Sequence, residues 1–273
     1  MVDGVPLPWR AAAALLLALI LAYMIVPLAV VVGTSVSTSQ FLVFPPTGFT
    51  LRWYGEVLAS SKYVDAARTS LLLAVLATLL SLACGVPAAI ALARRRLPGS
   101  NAMAALFLSP LILPAIVFGI GLLMFFSVYA DGPSFFALVV GHAVITLPYV
   151  VRTVMAVFAD ADPATEEAAR TMGARAWQRY WHVVLPQVRG GIAAGAFFAF
   201  NISFDDAVVA LFLRAPGIDT LPLRIYNELE FSPDPAVAAV SSMIIAATVV
   251  LVFASTMMLG AAKVAEQHGD GRR

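Results

Sequence analysis

The chain has 273 residues, 61% of them hydrophobic and 12% charged, and a net charge of +1. A soluble domain carries about 25% charged residues, so the deficit points to lipid as the solvent, and the lack of a basic tract argues against a nucleic-acid partner. The single cysteine, Cys84, excludes an internal disulfide framework; in its apolar run it reads as a small buried hydrophobe.

A bilayer core of about 30 Å takes roughly 20 apolar helical residues. Six stretches qualify: residues 11–32, 71–92, 103–129, 135–158, 192–213 and 236–262. The first exceeds a signal-peptide h-region of about 7–15 residues and has no clear small-x-small cleavage site, so it reads as a retained anchor. The outer segment 34–70 that follows carries Phe44-Pro45-Pro46-Thr47-Gly48, which enforces turns, and Trp53-Tyr54, which suit a membrane interface. Pro110 and Pro114 in the third span and Pro148 in the fourth remove helical hydrogen bonds and are expected to bend their helices. His142 in the fourth span reads as a buried histidine bonded to a backbone carbonyl.

Between the fourth and fifth spans lies a charged, helix-forming island, residues 167–186. Asp162 is a good N-cap, Pro163 fits the first helical position, and Glu166 and Glu167 favour the positive end of the helix dipole. Ala168 and Ala169 are strong helix formers without bulk. Gly173 is the expected stop, because glycine takes the left-handed conformation that ends a helix. A second short helix is expected over 175–184, and Pro186 marks the approach to the fifth span.

The fifth span is the least apolar, with Asn201, Asp205 and Asp206. Acids in hydrocarbon are expensive and raise a functional hypothesis. Asp205 and Asp206 lie roughly 20 Å along a helix from Ile192, in the outer half of the membrane, and adjacent helical positions diverge by about 100°. One carboxylate facing the path would favour a cationic amine. The alternative is a gating or packing acid bonded to Asn201, Ser203 or a neighbouring helix. Phe197, Phe198, Phe200 and Phe204 cluster in the same span. The outer segment 214–235 ends in Ser232-Pro233-Asp234-Pro235, a breaker before the sixth span, and carries Glu228 and Glu230, read as solvated charges.

Lys and Arg orient the bundle. With the N-terminus inside, the cytoplasmic segments hold Arg10, Arg94, Arg95, Arg96, Arg152, Arg170, Arg175, Arg179, Arg189, Lys263, Arg272 and Arg273. The outer segments hold Arg52, Lys62, Arg68, Arg214 and Arg224. This bias places both termini and the 167–186 loop in the cytoplasm.

The loop reads Glu167-Ala168-Ala169, three residues, Gly173, nine residues, Val183, one residue, Leu185-Pro186. It resembles the coupling loop (EAA motif) of binding-protein-dependent ABC importer permeases, with Val183 where isoleucine is usual. The resemblance covers roughly residues 66–260. Phe44–Tyr54, Ser203-Phe204-Asp205-Asp206-Ala207-Val208-Val209 and Thr220-Leu221-Pro222-Leu223-Arg224-Ile225-Tyr226 are similar to the spermidine/putrescine branch. It implies an all-α membrane protein of six transmembrane helices with a cytoplasmic coupling helix, the type I, MetI-like permease fold of the bacterial inner membrane. The division is then 1–65 for the N-terminal tail, first helix and outer loop, 66–260 for the transport domain with its coupling loop at 160–187, and 261–273 for a cytoplasmic tail.

The resemblance implies that Glu167, Ala168, Ala169, Gly173, Leu185 and Pro186 couple the membrane bundle to an ATP-binding subunit, present in two copies. It also implies a second permease chain, copy or paralogue. No phosphate-binding Gly-x-x-x-x-Gly-Lys-Ser/Thr occurs, so ATP hydrolysis belongs to the partner and the chain is not itself an enzyme. No part of it resembles a soluble solute-capturing domain, so a periplasmic or surface solute-binding protein is expected. No cofactor and no metal are expected, and no catalytic residue. An intramembrane enzyme would need a nucleophile–base pair or metal ligands, and three scattered His with one Cys argue against it. A secondary transporter often shows inverted repeats, and none is visible. Within the permease reading the solute is expected to be a polyamine, with an opine, an amino acid derivative or an aminophosphonate as alternatives.

Overall fold

Apolar runs punctuated by proline and glycine fold into helices, and among the described residues every regular element is helical. The computed structural model describes residues 7–94, 99–231 and 233–270. Arg95, Arg96, Ser232, Arg272 and Arg273, and the side chain of Lys263, lie outside what is described.

In chain order the α-helices are α1 (Leu7–Ser35), α2 (Arg52–Ala59), α3 (Ser61–Ala93), α4 (Ser100–Leu108), α5 (Ala115–Tyr129), α6 (Phe135–Ala159) and α7 (Pro163–Thr171). They continue as α8 (Ala176–Arg179), α9 (Leu185–Gln187), α10 (Arg189–Asp205), α11 (Val208–Leu213), α12 (Leu221–Phe231) and α13 (Pro235–Asp270). A 3₁₀ turn (Ser109–Leu111) follows α4, and a π turn (Tyr180–Val184) joins α8 to α9.

Four helices are each long and apolar enough to cross a bilayer, in α1, α3, α6 and α13. Two further spans exist only as bent pairs: Ser100–Leu111 with Ala115–Tyr129 at 102°, and Ala176–Gln187 with Arg189–Asp205 at 71°. The expected single helix over 103–129 is therefore interrupted, and the one over 192–213 is interrupted as well, where α10 ends at Asp205 and α11 begins at Val208. In the first, Pro110 sits in the 3₁₀ turn and Pro114 caps α5 with extended ψ, as a residue without an N–H dictates. Pro148 does not interrupt its helix: α6 runs from Phe135 to Ala159 through it.

The chain forms two units. One comprises residues 1–64 and 225–273. In it α1 packs along α13, and α13 also packs on α2. Trp53 and Tyr54 are not interface anchors here. Trp53 is buried and its Nε1 donates to Ser37 O at 2.8 Å. The Tyr54 hydroxyl lies 2.7 Å from both Ser35 Oγ and Ser242 Oγ, pinning the end of α1, α2 and α13 together. Glu228 is not a free solvated charge either, since Tyr63 Oη donates to its Oε2.

The other unit comprises residues 65–224 and is organised on α6. Helix α10 lies so close to α6 that a Cβ on Gly191 would fall 2.9 Å from Thr153 O, and one on Gly195 2.7 Å from Thr153 Oγ1. On α3, a Cβ on Gly85 would meet Val150 at 2.9 Å. Val86, Ile90, Val150, Val151, Val154, Val184 and Val188 fill the core between these helices. A second cluster joins Leu73, Leu138, Val209 and Leu213. Cys84 belongs to neither: it is exposed on α3, contrary to the buried site expected, because a span apolar on all sides carries no signal of which face turns inward.

Candidate functional site

The polar loop between α6 and α10 folds as its local signals dictate. Asp162 is the N-cap of α7, and its Oδ1 accepts from Ala164 N at 2.9 Å. Pro163 takes the first helical position, where a missing N–H costs nothing. At the other end Gly173 adopts φ +86°. Its N–H donates to Arg170 O, and the N–H of Ala174 donates to Ala169 O, both at 3.0 Å. This pair of bonds is the Schellman arrangement, which satisfies the last carbonyls of a helix. A Cβ at Gly173 would meet nothing within 4 Å, so φ alone requires glycine there.

The turn then re-enters helix at α8, where Gln178 Oε1 accepts from Arg175 N at 2.8 Å. The second helix, expected as one element over 175–184, is composite: α8, the π turn and α9 reach Gln187 before the 71° bend into α10. Pro186 lies within α9.

The proposed coupling residues do not share one environment. Glu167, Ala168 and Gly173 are exposed, as is Pro186; Leu185 is half-buried and Ala169 is buried. Ala169 thus packs inside its own chain, and the outward face of α7 is made by its neighbours. Three large exposed side chains that the sequence reading passed over stand beside them: Met172, Trp177 and Trp181. The four-residue spacing of the two tryptophans within a helical segment was the available signal.

The neighbouring acid Glu166 turns inward. Arg94, at the end of α3, places Nη2 2.8 and 2.7 Å from the two Glu166 carboxylate oxygens. Arg179 Nε lies 3.6 Å from Oε1, while Arg179 Nη1 donates to Ala174 O at 2.9 Å. The cluster borders a cleft of about 190 Å³ lined also by Phe158, Asp162 and Val184.

The second set of candidates lies where α10 ends. Helix α10 stops at Asp205, and Asp206 leaves it with φ −72° and ψ 123°. The two acids are therefore not successive helical positions, and the divergence of about 100° between neighbouring helical residues does not apply to them. Asp205 is exposed. Asp206 Oδ2 accepts from Val209 N at 2.8 Å and Ala210 N at 3.2 Å, capping α11. It also lies 3.7 Å from His142 Nε2. His142 is fully buried, and its Nδ1 is 3.0 Å from Ser203 Oγ rather than on a backbone carbonyl. Thr146 Oγ1 donates to His142 O at 2.7 Å and lies 2.7 Å from Ser81 Oγ, so a buried polar seam runs from α3 through α6 to the α10–α11 break. Asn201 is not part of it: its Nδ2 donates to Phe197 O one turn back, at 2.8 Å. Phe200 and Phe204 stack with centroids 6.0 Å apart.

Comparison with known proteins bears on this architecture. Residues 85–264 match the family model described as binding-protein-dependent transport system inner membrane component. The spermidine/putrescine transport system permease protein PotC of Escherichia coli (strain K12) is 30% identical over 239 residues, 88% of this chain and 90% of that protein. The sulfate transport system permease protein CysT of the same organism is 33% identical over 215 residues, 73% of this chain and 78% of that one. In structure, a chain of a bacterial ABC transporter involved in the import of the acidic polysaccharide alginate superposes with a TM-score of 0.67 at 19% identity, covering 91% of this chain and 95% of the other.

Proposed function

This chain belongs to the binding-protein-dependent transport system inner membrane components, multi-pass permeases of ABC importers with the type I fold, and we propose that the solute it carries inward is a polyamine. The likeness to a spermidine/putrescine permease along nearly the whole chain supports this reading. The exposed carboxylate of Asp205 at the end of α10 supports it chemically, because a cationic amine gains from a negative charge in a poorly solvated path. Asp206 holds the geometry of the same break, and Asn201 lies one turn earlier on α10. The sulfate permease among the relatives favours a second reading, in which the same machinery serves another small solute.

The energy enters through partners. In this reading two copies of an ATP-binding subunit hydrolyse ATP, a second permease completes the pathway, and a solute-binding protein delivers the solute from outside. Both termini and the loop of α7 face the cytoplasm, with residues 66–260 as the transport domain. The observation that carries the coupling role is the capped, glycine-stopped α7 with Glu167 and Ala168 outward. A short rigid helix seated in a groove of the ATPase subunit transmits displacement, and Glu167 pairs with a basic residue across the contact. Ala169 and Gly173 fix the helix and its end, and Leu185 and Pro186 set the turn into α10.

The test is uptake of labelled putrescine and spermidine in cells with the partner genes present. Deletion of this chain and Glu167→Ala are both expected to abolish uptake while the variant still inserts. Unchanged uptake on deletion, in cells without a redundant importer, removes the polyamine assignment; normal uptake in Glu167→Ala removes the coupling role.

A further inference from the structure

The sequence motif directs attention to Glu167, but the structure gives the acid before it a more defined set of partners. Helix α7 packs on the π turn and α8, elements of its own loop. The π turn in turn reaches the core, where Val184 clusters with Ile90 of α3 and with Val150 and Val154 of α6, so apolar packing links α7 to the long helices through its loop. Glu166 adds a direct polar connection from α7 itself. Its two oxygens accept from Arg94 Nη2 at the end of α3, and the pair is partly shielded, with side chains 31% and 27% exposed. Arg179, 21% exposed, completes the cluster and reaches the carbonyl of Ala174 just past the Gly173 stop. One carboxylate therefore joins α3, α7 and α8.

We propose that Arg94, Glu166 and Arg179 form a strut that fixes the coupling loop to the inner end of α3, with Glu166 as its positioning residue. The proposal rests on the coupling role of α7. A displacement imposed on the outward face of α7 reaches the bundle only as far as the loop moves as one body with a spanning helix. Capping makes α7 rigid in itself, and the strut adds a direct tie to α3 beside the apolar packing of Val184. Isolated surface ion pairs contribute little, but a partly shielded carboxylate whose two oxygens share one guanidinium nitrogen, with a second guanidinium 3.6 Å away, forms a small network of charge-assisted contacts. Arginine serves here better than lysine, because its planar donors define a direction as well as a charge.

The chain is studied in nanodiscs, in complex with its ATPase subunits, as the wild type and with Glu166→Gln, Arg94→Lys and Glu167→Ala. The first readout is amide exchange, which needs no solute. Glu166→Gln is expected to raise exchange in residues 163–173 about five-fold, with α6 and α10 unchanged. Arg94→Lys, which keeps the charge but replaces the planar guanidinium by a differently placed ammonium, is expected to give a smaller rise in the same residues. Unchanged exchange in both variants overturns the strut. Should Glu166→Gln fail to insert, Arg94→Lys decides alone.

The second readout is putrescine moved per ATP hydrolysed. A general folding defect lowers transport and hydrolysis together, whereas a loosened strut lowers transport per ATP. The proposal fails if that ratio stays at the wild-type value in variants whose loop exchange has risen. Glu167→Ala separates this from the parent reading: it is expected to weaken ATPase binding while leaving the loop's exchange in the free chain unchanged. Wild-type ATPase binding in Glu167→Ala removes the coupling role itself, and the strut with it.

Discussion

Two adjacent glycines at the start of α10 offer a controlled measure of how closely the fifth span packs on the fourth. A Cβ on Gly190 meets nothing within 4 Å, whereas on Gly191 it would fall 2.9 Å from Thr153 O and 3.0 Å from Val154 Cα. Both positions gain helix propensity on substitution by alanine, at most about 1 kcal/mol. Only Gly191→Ala pays for overpacking, typically about 1–3 kcal/mol. The obstacle is α6 backbone, which no rotamer change relieves, so the upper part of that range applies. Gly190→Ala is then neutral to stabilising, and Gly191→Ala is destabilised by about 2 kcal/mol net, roughly a 30-fold change in the unfolding equilibrium. The assay is reversible unfolding in mixed micelles, followed by circular dichroism, with both variants made in the same background. Equal midpoints for Gly190→Ala and Gly191→Ala would refute the close approach of α10 to α6, and with it the arrangement of the core around Val150 and Val154.

Two further substitutions separate roles that the sequence alone runs together. Asp206→Ala removes the acceptor for Val209 N and Ala210 N and is expected to cost about 1 kcal/mol. Asp206→Asn keeps the cap, so full stability with impaired transport in Asn would show that the charge serves the solute path, while equal stability losses in Ala and Asn would contradict the capping role. Gly173→Ala forces a side chain into left-handed backbone at about 1–2 kcal/mol. It is expected to fray α7 and weaken ATPase binding without altering the stability of α6, and unaltered exchange across 169–173 would count against it.

What was legible in the sequence follows the range of the interaction. The N-cap Asp162, Pro163 and the stop at Gly173 act through bonds a few residues long, so their residue types announce them. The bend at Pro114 is legible for the same reason. The link from Arg94 to Glu166 spans 72 residues, and neither residue carries a mark of the other; Glu166 looked like an ordinary acid in a first turn. Trp53 and Tyr54 misled because an aromatic with a polar tip suits a membrane interface and an internal hydrogen bond equally. The break at Asp206 was masked by the apolar residues around it. An Asp that accepts from backbone N–H groups two to four residues on is a cap signal wherever it stands, and treating 192–213 as one span on hydropathy overrode it.

The π turn at Tyr180–Val184 has a bearing on what lengths this loop tolerates. In an unbroken α-helix, residues 177, 181, 184 and 188 would fall along one stripe. Here Trp177 and Trp181 stand outside while Val184 and Val188 are buried. The wider i→i+5 turn shifts the phase between them, so one continuous segment presents aromatic side chains outward and then valines to the core. The five-residue turn holds one residue more than an ordinary turn, so loss of one residue between Trp181 and Val184 would leave an α-helix with both pairs near their present sides, whereas an added residue would rotate the valines by about 100°. The π turn is in this sense an extra residue that the segment absorbs while keeping its aromatic and aliphatic faces apart.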